Sequence, residues 1–268
     1  MKVKFQIVGV LLAAFMILAG FKAEAATGTD WNDSVVTAVG TGIAPNGTTG
    51  AQARVLARRA AIADAQRQLA EAVNGVNVDA ETTVEQMAVT SDIVRTKVSA
   101  TLKGAKIVSE NITSDGAYEV TMQLPMFGTS SIAQAVLPPT EVKVPFPTPT
   151  VDTKVTVTVN SGYTGVIVDC RGFGLNPVMS PVIKDTNGTK LYGHQNLDYD
   201  LVIRDGMASY AHDMTQASRA GSNPLVIKAE RLADHNANPV LSTSDGNKLL
   251  LENNASGFLS RTAVVFLY

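Results

Sequence analysis

One cysteine, the arginine beside it and three histidines near carboxylates are the residues of this 268-residue chain whose types could do chemistry. Cys170 and Arg171 follow the apolar run TGVIVD and open a Gly-rich loop, RGFG. A thiol beside a guanidinium can lose its proton more readily and attack an electrophile, provided a base lies within reach. The bases on offer are His194 before Asp198, His212 beside Asp213, and His235 beside Asp234. No two of the histidines stand at the i, i+4 helical spacing of zinc hydrolases, so a metal site requires the fold to assemble it. A lone cysteine after a strand more often packs as a small hydrophobe. RGFG lacks the full spacing of a phosphate cradle, and its glycines are read as letting the chain turn. The expectation is therefore no catalytic residue, no cofactor and no metal. Asp169, Cys170 and Arg171 remain as a candidate interaction loop, with Asp169 and Arg171 paired.

Composition excludes one partner class. The formal net charge is −2, with 17% charged residues, and neutralising phosphates needs a clustered excess of Lys and Arg. Nucleic acid is not expected. Arg58-Arg59 on a helix reads as a solvated edge or an ion-pair partner rather than an anion site. Four Asn-x-Thr/Ser triplets, at Asn46, Asn111, Asn187 and Asn254, are read as structural, two of them as Asn-Gly turns.

The elements that must position these residues begin after a targeting segment. Residues 1–26 carry Lys2 and Lys4, an apolar run from Phe5 to Phe21, and the small-x-small pattern Ala23-Glu24-Ala25, which places cleavage between Ala25 and Ala26. No later stretch is apolar enough to span a bilayer, so an exported chain is expected, in the periplasm or at the cell surface. The single Cys leaves neither a lipid-anchor Cys after the apolar run nor an intramolecular disulfide.

From Val39 to Gly128 the order is strand, helix, helix, then a hairpin around Asp115-Gly116. Ala51 to Val73 lacks Gly and Pro, and Val55, Ile62, Leu69 and Val73 recur on one face. Its many alanines make a thin helix able to lie close against a sheet. Gly75 is expected as a left-handed stop. Residues 137–154 hold five of the eleven prolines and read as a semi-rigid spacer. The second half offers strands at KVTVTVNSG, TGVIVD and NPLVIKAERL, and a hairpin around Asn187-Gly188. A short helix is expected near Met207 to Gln216, a turn at Asn236 to Pro239, and a helix from Asp245 to Asn253 capped by Ser244. TAVVFLY reads as a core strand or an edge able to accept a partner's strand. The fold class is α+β: two small domains, residues 27–136 and 155–268, joined by the Pro-rich linker. The second holds a mixed sheet.

The ordered set GTG, ARVLARRAAIADAQRQLAEAVNGV, SDIV and KGAKIVSENITSDGAYEVTMQLPMFG resembles the twenty-kilodalton outer-membrane lipoprotein (Lpp-twenty) family. That family's fold is similar to the N-terminal domain of flagellar assembly protein T. GVIVDCRGFGLNPVMSPVIKD and GSNPLVIKAERL resemble the region that accompanies such modules in some envelope proteins. The resemblance implies a bacterial envelope protein working through binding or assembly with other envelope proteins, with flagellar or outer-membrane assembly as the finer expectation. It brings no catalytic residues. Lacking the anchor Cys, the chain departs from the lipoprotein members toward a soluble exported form. The other reading, from a different class, is a periplasmic small-ligand or metal-binding protein using the loops around Arg171 and His212.

Overall fold

The computed structural model describes residues 26–139, 142–149 and 162–268. The targeting segment, its cleavage position at Ala25, and the strand expected at KVTVTVNSG lie outside the described residues.

The first half is one antiparallel sheet under a long helix. Strands β1 (Gly28–Asp30), β2 (Val35–Gly42), β3 (Lys106–Ile112) and β4 (Tyr118–Pro125) take the order β1-β2-β4-β3, and the helices are α1 (Gly50–Asn74), α2 (Val84–Thr90), α3 (Asp92–Lys103) and α4 (Ile132–Val136). Local chemistry sets their ends. Thr83 and Gln86 form a reciprocal capping box at α2, Ser91 caps α3, and each satisfies an N–H that the helix cannot. The expected hairpin forms between β3 and β4, with Gly116 at φ +87° in its turn.

The buried stripe of α1 differs from the expected one. Ala57, Ala61, Ala65, Leu69 and Val73 are buried at intervals of four, whereas Val55 is half exposed. The reason lies in β2. A Cβ on Gly40 would stand 2.1 Å from the Ala65 nitrogen, and one on Gly42 would stand 2.2 Å from the Ala57 carbonyl oxygen. Helix and strand meet backbone to backbone, and only alanines leave room for that approach. Gly75 is not left-handed either: it sits at φ −77°, ψ −4°, and its N–H closes onto the Glu71 carbonyl at 3.2 Å. The Val76 N–H then bonds the Val73 carbonyl at 3.1 Å, a tightened last turn that needs no positive φ.

The second half holds two four-stranded sheets. Its strands are β5 (Gly165–Asp169), β6 (Ile183–Asp185), β7 (Lys190–Tyr192), β8 (Ser209–Ala211), β9 (Pro224–Lys228), β10 (Arg231–Ala233), β11 (Asn238–Leu241) and β12 (Val264–Leu267), with α5 (Tyr199–Asp205) and α6 (Thr243–Ser256). The order β8-β12-β5-β9 is wholly parallel, and β10-β11-β6-β7 is mixed. TAVVFLY supplies β12, paired on both sides by β5 and β8, so it is a central strand and offers no edge.

Three expectations shift in position. The helix near Met207 to Gln216 is replaced by α5, which Asp198 caps and Gly206 ends at φ +76°, because Tyr210 and Ala211 are claimed by the parallel sheet. The turn expected at Asn236 to Pro239 runs instead through Asp234, His235 and Asn236, all at positive φ, and Pro239 lies within β11. Ser242, not Ser244, caps α6.

The halves share a core. Buried residues from Val36 to Phe266 form one contiguous apolar cluster. Met179 and Ser180 donate backbone N–H bonds to the Asn77 and Val78 carbonyls at 3.0 and 2.8 Å, and Trp31 packs edge-on against Tyr210 at 5.5 Å. The Pro-rich stretch is tied down as well: Phe146 stacks on buried Tyr192, and Val144 exchanges hydrogen bonds with Gln195 and Asn196. Residues 142–149 are thus mostly exposed but pinned to the second half at Val144 and Phe146.

Candidate functional site at the carboxyl edge of the parallel sheet

All four strands of the parallel sheet point their carboxyl ends to one edge, where open sheets of this kind present ligand-binding loops. β5 delivers Asp169, Cys170 and Arg171 there; β8 delivers His212 and Asp213, β9 delivers Lys228, and β12 delivers Tyr268. The candidate loop therefore sits where an α+β sheet of this type could bind something.

Its geometry is closed on itself. Asp169 Oδ1 accepts from the Arg171 backbone N–H at 3.1 Å and from Nε at 2.9 Å, while Oδ2 accepts from Nη2 at 2.7 Å. This fork fills the carboxylate, and the Arg171 guanidinium holds Asp169 below the usual carboxylate range. Cys170 is fully buried. Its backbone N–H donates to the Leu267 carbonyl at 2.9 Å, and burial first, then the Asp169 charge, pushes the thiol up to about 12. At neutral pH it is a protonated core side chain, as its neighbours Val168 and Tyr210 require. The glycines of RGFG serve turns, with Gly172 at φ +84° and Gly174 at φ +70°, and half-exposed Phe173 closes the first of them onto the Cys170 carbonyl at 3.2 Å.

His212 alone of the three histidines reaches this edge. It stacks on Tyr268 with ring centroids 4.6 Å apart, and the adjacent Asp213 accepts from the Thr215 N–H at 2.7 Å and hydroxyl at 2.5 Å. Those bonds hold Asp213 below its ordinary range. His194 is half-buried near Tyr199 and is shifted down by desolvation. His235 lies in the turn before β11, with Nδ1 3.5 Å from Glu81. The fold keeps the three apart, and among the described residues no group of three or more His, Cys, Asp and Glu side chains gathers as metal ligands do.

Several contacts had no local signal in the sequence. Tyr268 also packs edge-on against Tyr210 at 6.0 Å, which meets Trp31 of the first half, so an aromatic chain links the edge of the parallel sheet to the β1–β2 turn. Arg219 is largely buried and donates to the carbonyls of Asp205, Gly206 and Thr262 at 2.6, 2.6 and 2.7 Å and to the Thr262 hydroxyl at 2.7 Å. Arg58 is an ion-pair partner: Nε and Nη2 bond Glu110 at 2.8 and 2.6 Å, and the Tyr118 hydroxyl donates to the same carboxylate at 2.6 Å. Where the halves meet, an open cleft of about 480 Å³ is lined by Lys97, Thr101, Ser130, Gln134 and Tyr199. Each arises from residues far apart in the chain.

Among the described residues no helix is long and apolar enough to cross a membrane. Comparison with curated proteins finds no match. Two family models match parts of the chain, and the first supports an envelope-associated, lipoprotein-like protein. Residues 30–125 are similar to the LPP20 lipoprotein family, and residues 165–268 to the second domain of Treponema pallidum Tp0624.

Proposed function

We propose that this chain is an exported envelope protein with a non-enzymatic role, binding other envelope proteins in an assembly. The observation that carries this reading is β3, a seven-residue edge strand exposed at every position. By contrast, the groups best suited to chemistry are occupied: Cys170 by burial, Arg171 by Asp169. The LPP20 lipoprotein similarity over residues 30–125 supports the envelope location. Flagellar or outer-membrane assembly is the finer form of the proposal and rests on the resemblance to flagellar assembly protein T.

Envelope fractionation followed by crosslinking and identification of the neighbour tests the reading. A reproducible envelope partner is expected. Substrate turnover by the purified chain, lost in Cys170→Ala or His212→Ala, would replace binding by catalysis. For the finer form, a deletion strain that swims normally would remove the flagellar assignment.

The open cleft beside Tyr199 favours a second reading, a small-ligand protein. A thermal-shift screen with divalent metals and common metabolites separates the two, because a ligand that binds only the folded state must raise its stability.

A further inference from the structure

β3 is the outer strand of the first sheet, and one of its edges is paired while the other is open among the described residues. In an antiparallel ladder, successive residues direct their backbone groups alternately toward and away from the partner strand. The Thr113 N–H donates to the Ala117 carbonyl at 2.9 Å, and the register continues as Ile112↔Tyr118, Asn111↔Glu119 and Glu110↔Val120. Thr113, Asn111 and Ser109 therefore bond inward to β4, and Glu110 and Ile112 present their N–H and C=O groups outward. The other half of the strand is protected: a bulge interrupts the register between Ile107 and Ser109, and Lys106 puts a charge on the edge, both devices that discourage indiscriminate strand pairing.

The open half presents an aliphatic spot with bases beyond it. Ile112 is 53% exposed and Val55 on α1 50%, while Ile107 and Val108, 38% and 52% exposed, lie at the bulge. Gly42, Tyr118 and Ile112 lie in one row across the sheet, and α1 passes over that row at Ala57. Arg54, one turn earlier on α1, stands at the Ile112 end; Lys103 and Lys106 stand at the other. None of these three carries an ion pair among the described residues. The acid on the strand, Glu110, is already taken by Arg58 and Tyr118, and Glu119 of β4 is the neighbouring acid on the opposite face.

We propose that β3 docks an extended, acidic segment of a partner by strand addition. Main-chain bonds to Glu110 and Ile112 would supply affinity, and alternating aliphatic and acidic side chains would meet Ile112 and Val55 and the bases at either end. This rests on the interaction role proposed above and names the chemistry of its partner.

The test titrates the isotope-labelled chain at low salt with a capped peptide alternating glutamate and valine, and with its lysine–valine counterpart. Saturable shifts at the Glu110 and Ile112 amides, with slowed hydrogen exchange there, are expected for the acidic peptide, and binding about tenfold weaker for the basic one. Arg54→Glu combined with Lys106→Glu should reverse the preference. Both side chains are on the surface, so the fold is kept, as circular dichroism will verify. Ile112→Pro removes one outward N–H and should abolish binding of either peptide. Equal binding of the two peptides, shifts confined to other surfaces, or no binding overturns the proposal. A crosslinker at position 111 joining two copies of this chain in the envelope would also overturn it, in favour of self-pairing. If the peptides fail while envelope crosslinking through another face still captures a partner, the interaction role stands and strand addition falls; if neither captures anything, both fall.

Discussion

Gly40 and Ala65 meet backbone to backbone: a Cβ on Gly40 would stand 2.1 Å from the Ala65 nitrogen and 2.4 Å from the Ala61 carbonyl oxygen. Gly40→Ala must push α1 off the sheet that it covers. The expected loss is about 3 kcal/mol, the upper end of overpacking costs, since backbone lines both sides of the contact. Urea unfolding measures it. Adding Ala61→Gly should not rescue the variant, because the clash is with main-chain atoms; a rescue would mean the helix had not been held at this distance.

Arg219 ties the end of α5 to the turn before β12 through four hydrogen bonds. Arg219→Ala removes all four bonds, but the Thr262 carbonyl keeps the Val264 N–H at 2.8 Å and Asp205 is exposed, so the loss falls mainly on the buried Gly206 carbonyl and is expected at about 2 kcal/mol. Arg219→Lys should recover only part of this, since an ammonium cannot reproduce the planar fork. Thermal unfolding of the two variants checks the order; equal stability of Lys and Arg would refute the clamp.

The Cys170 thiol, pushed up to about 12, should react with a thiol reagent at pH 8 far more slowly in the folded chain than in denaturant. Its folded value lies above the ordinary 9, so the neutral thiol favours the fold below pH 9. That contribution is lost as pH rises from there toward 12. Rapid labelling of the native chain would show that the strand end opens.

Glu110 is held at about 2 against an ordinary 4.5, first by its hydrogen bond from Arg58 and then by that from Tyr118. A depressed carboxyl supports the fold above the unfolded value, and this support disappears as pH falls from about 4.5 toward 2. Arg58→Ala should raise the Glu110 midpoint toward its ordinary value, read by carboxyl-carbon NMR. Because the pair is solvent-exposed, stability at neutral pH should change little. A wild-type midpoint near 4.5 would show that the pair does not persist in solution.

Local patterns made much of the first half legible. The Ala-rich run is α1, and Asp115-Gly116 turns the hairpin. The α+β class and the two-domain division follow from the same patterns, because helix propensity, turn chemistry and strand alternation act over a few residues. The Asp169–Arg171 pair was legible too, since its members lie two residues apart.

What the chain by itself determined is therefore its punctuation and element types, together with the small-residue composition that lets a helix lie on a strand. Tertiary structure decided which face of α1 is buried, because Gly40 and Gly42 select the alanines over Val55. It also made TAVVFLY a central parallel strand and left β3 as the exposed edge. Parallel pairing and edge position depend on contacts between residues up to a hundred positions apart, and no local spacing encodes which neighbour a strand will find.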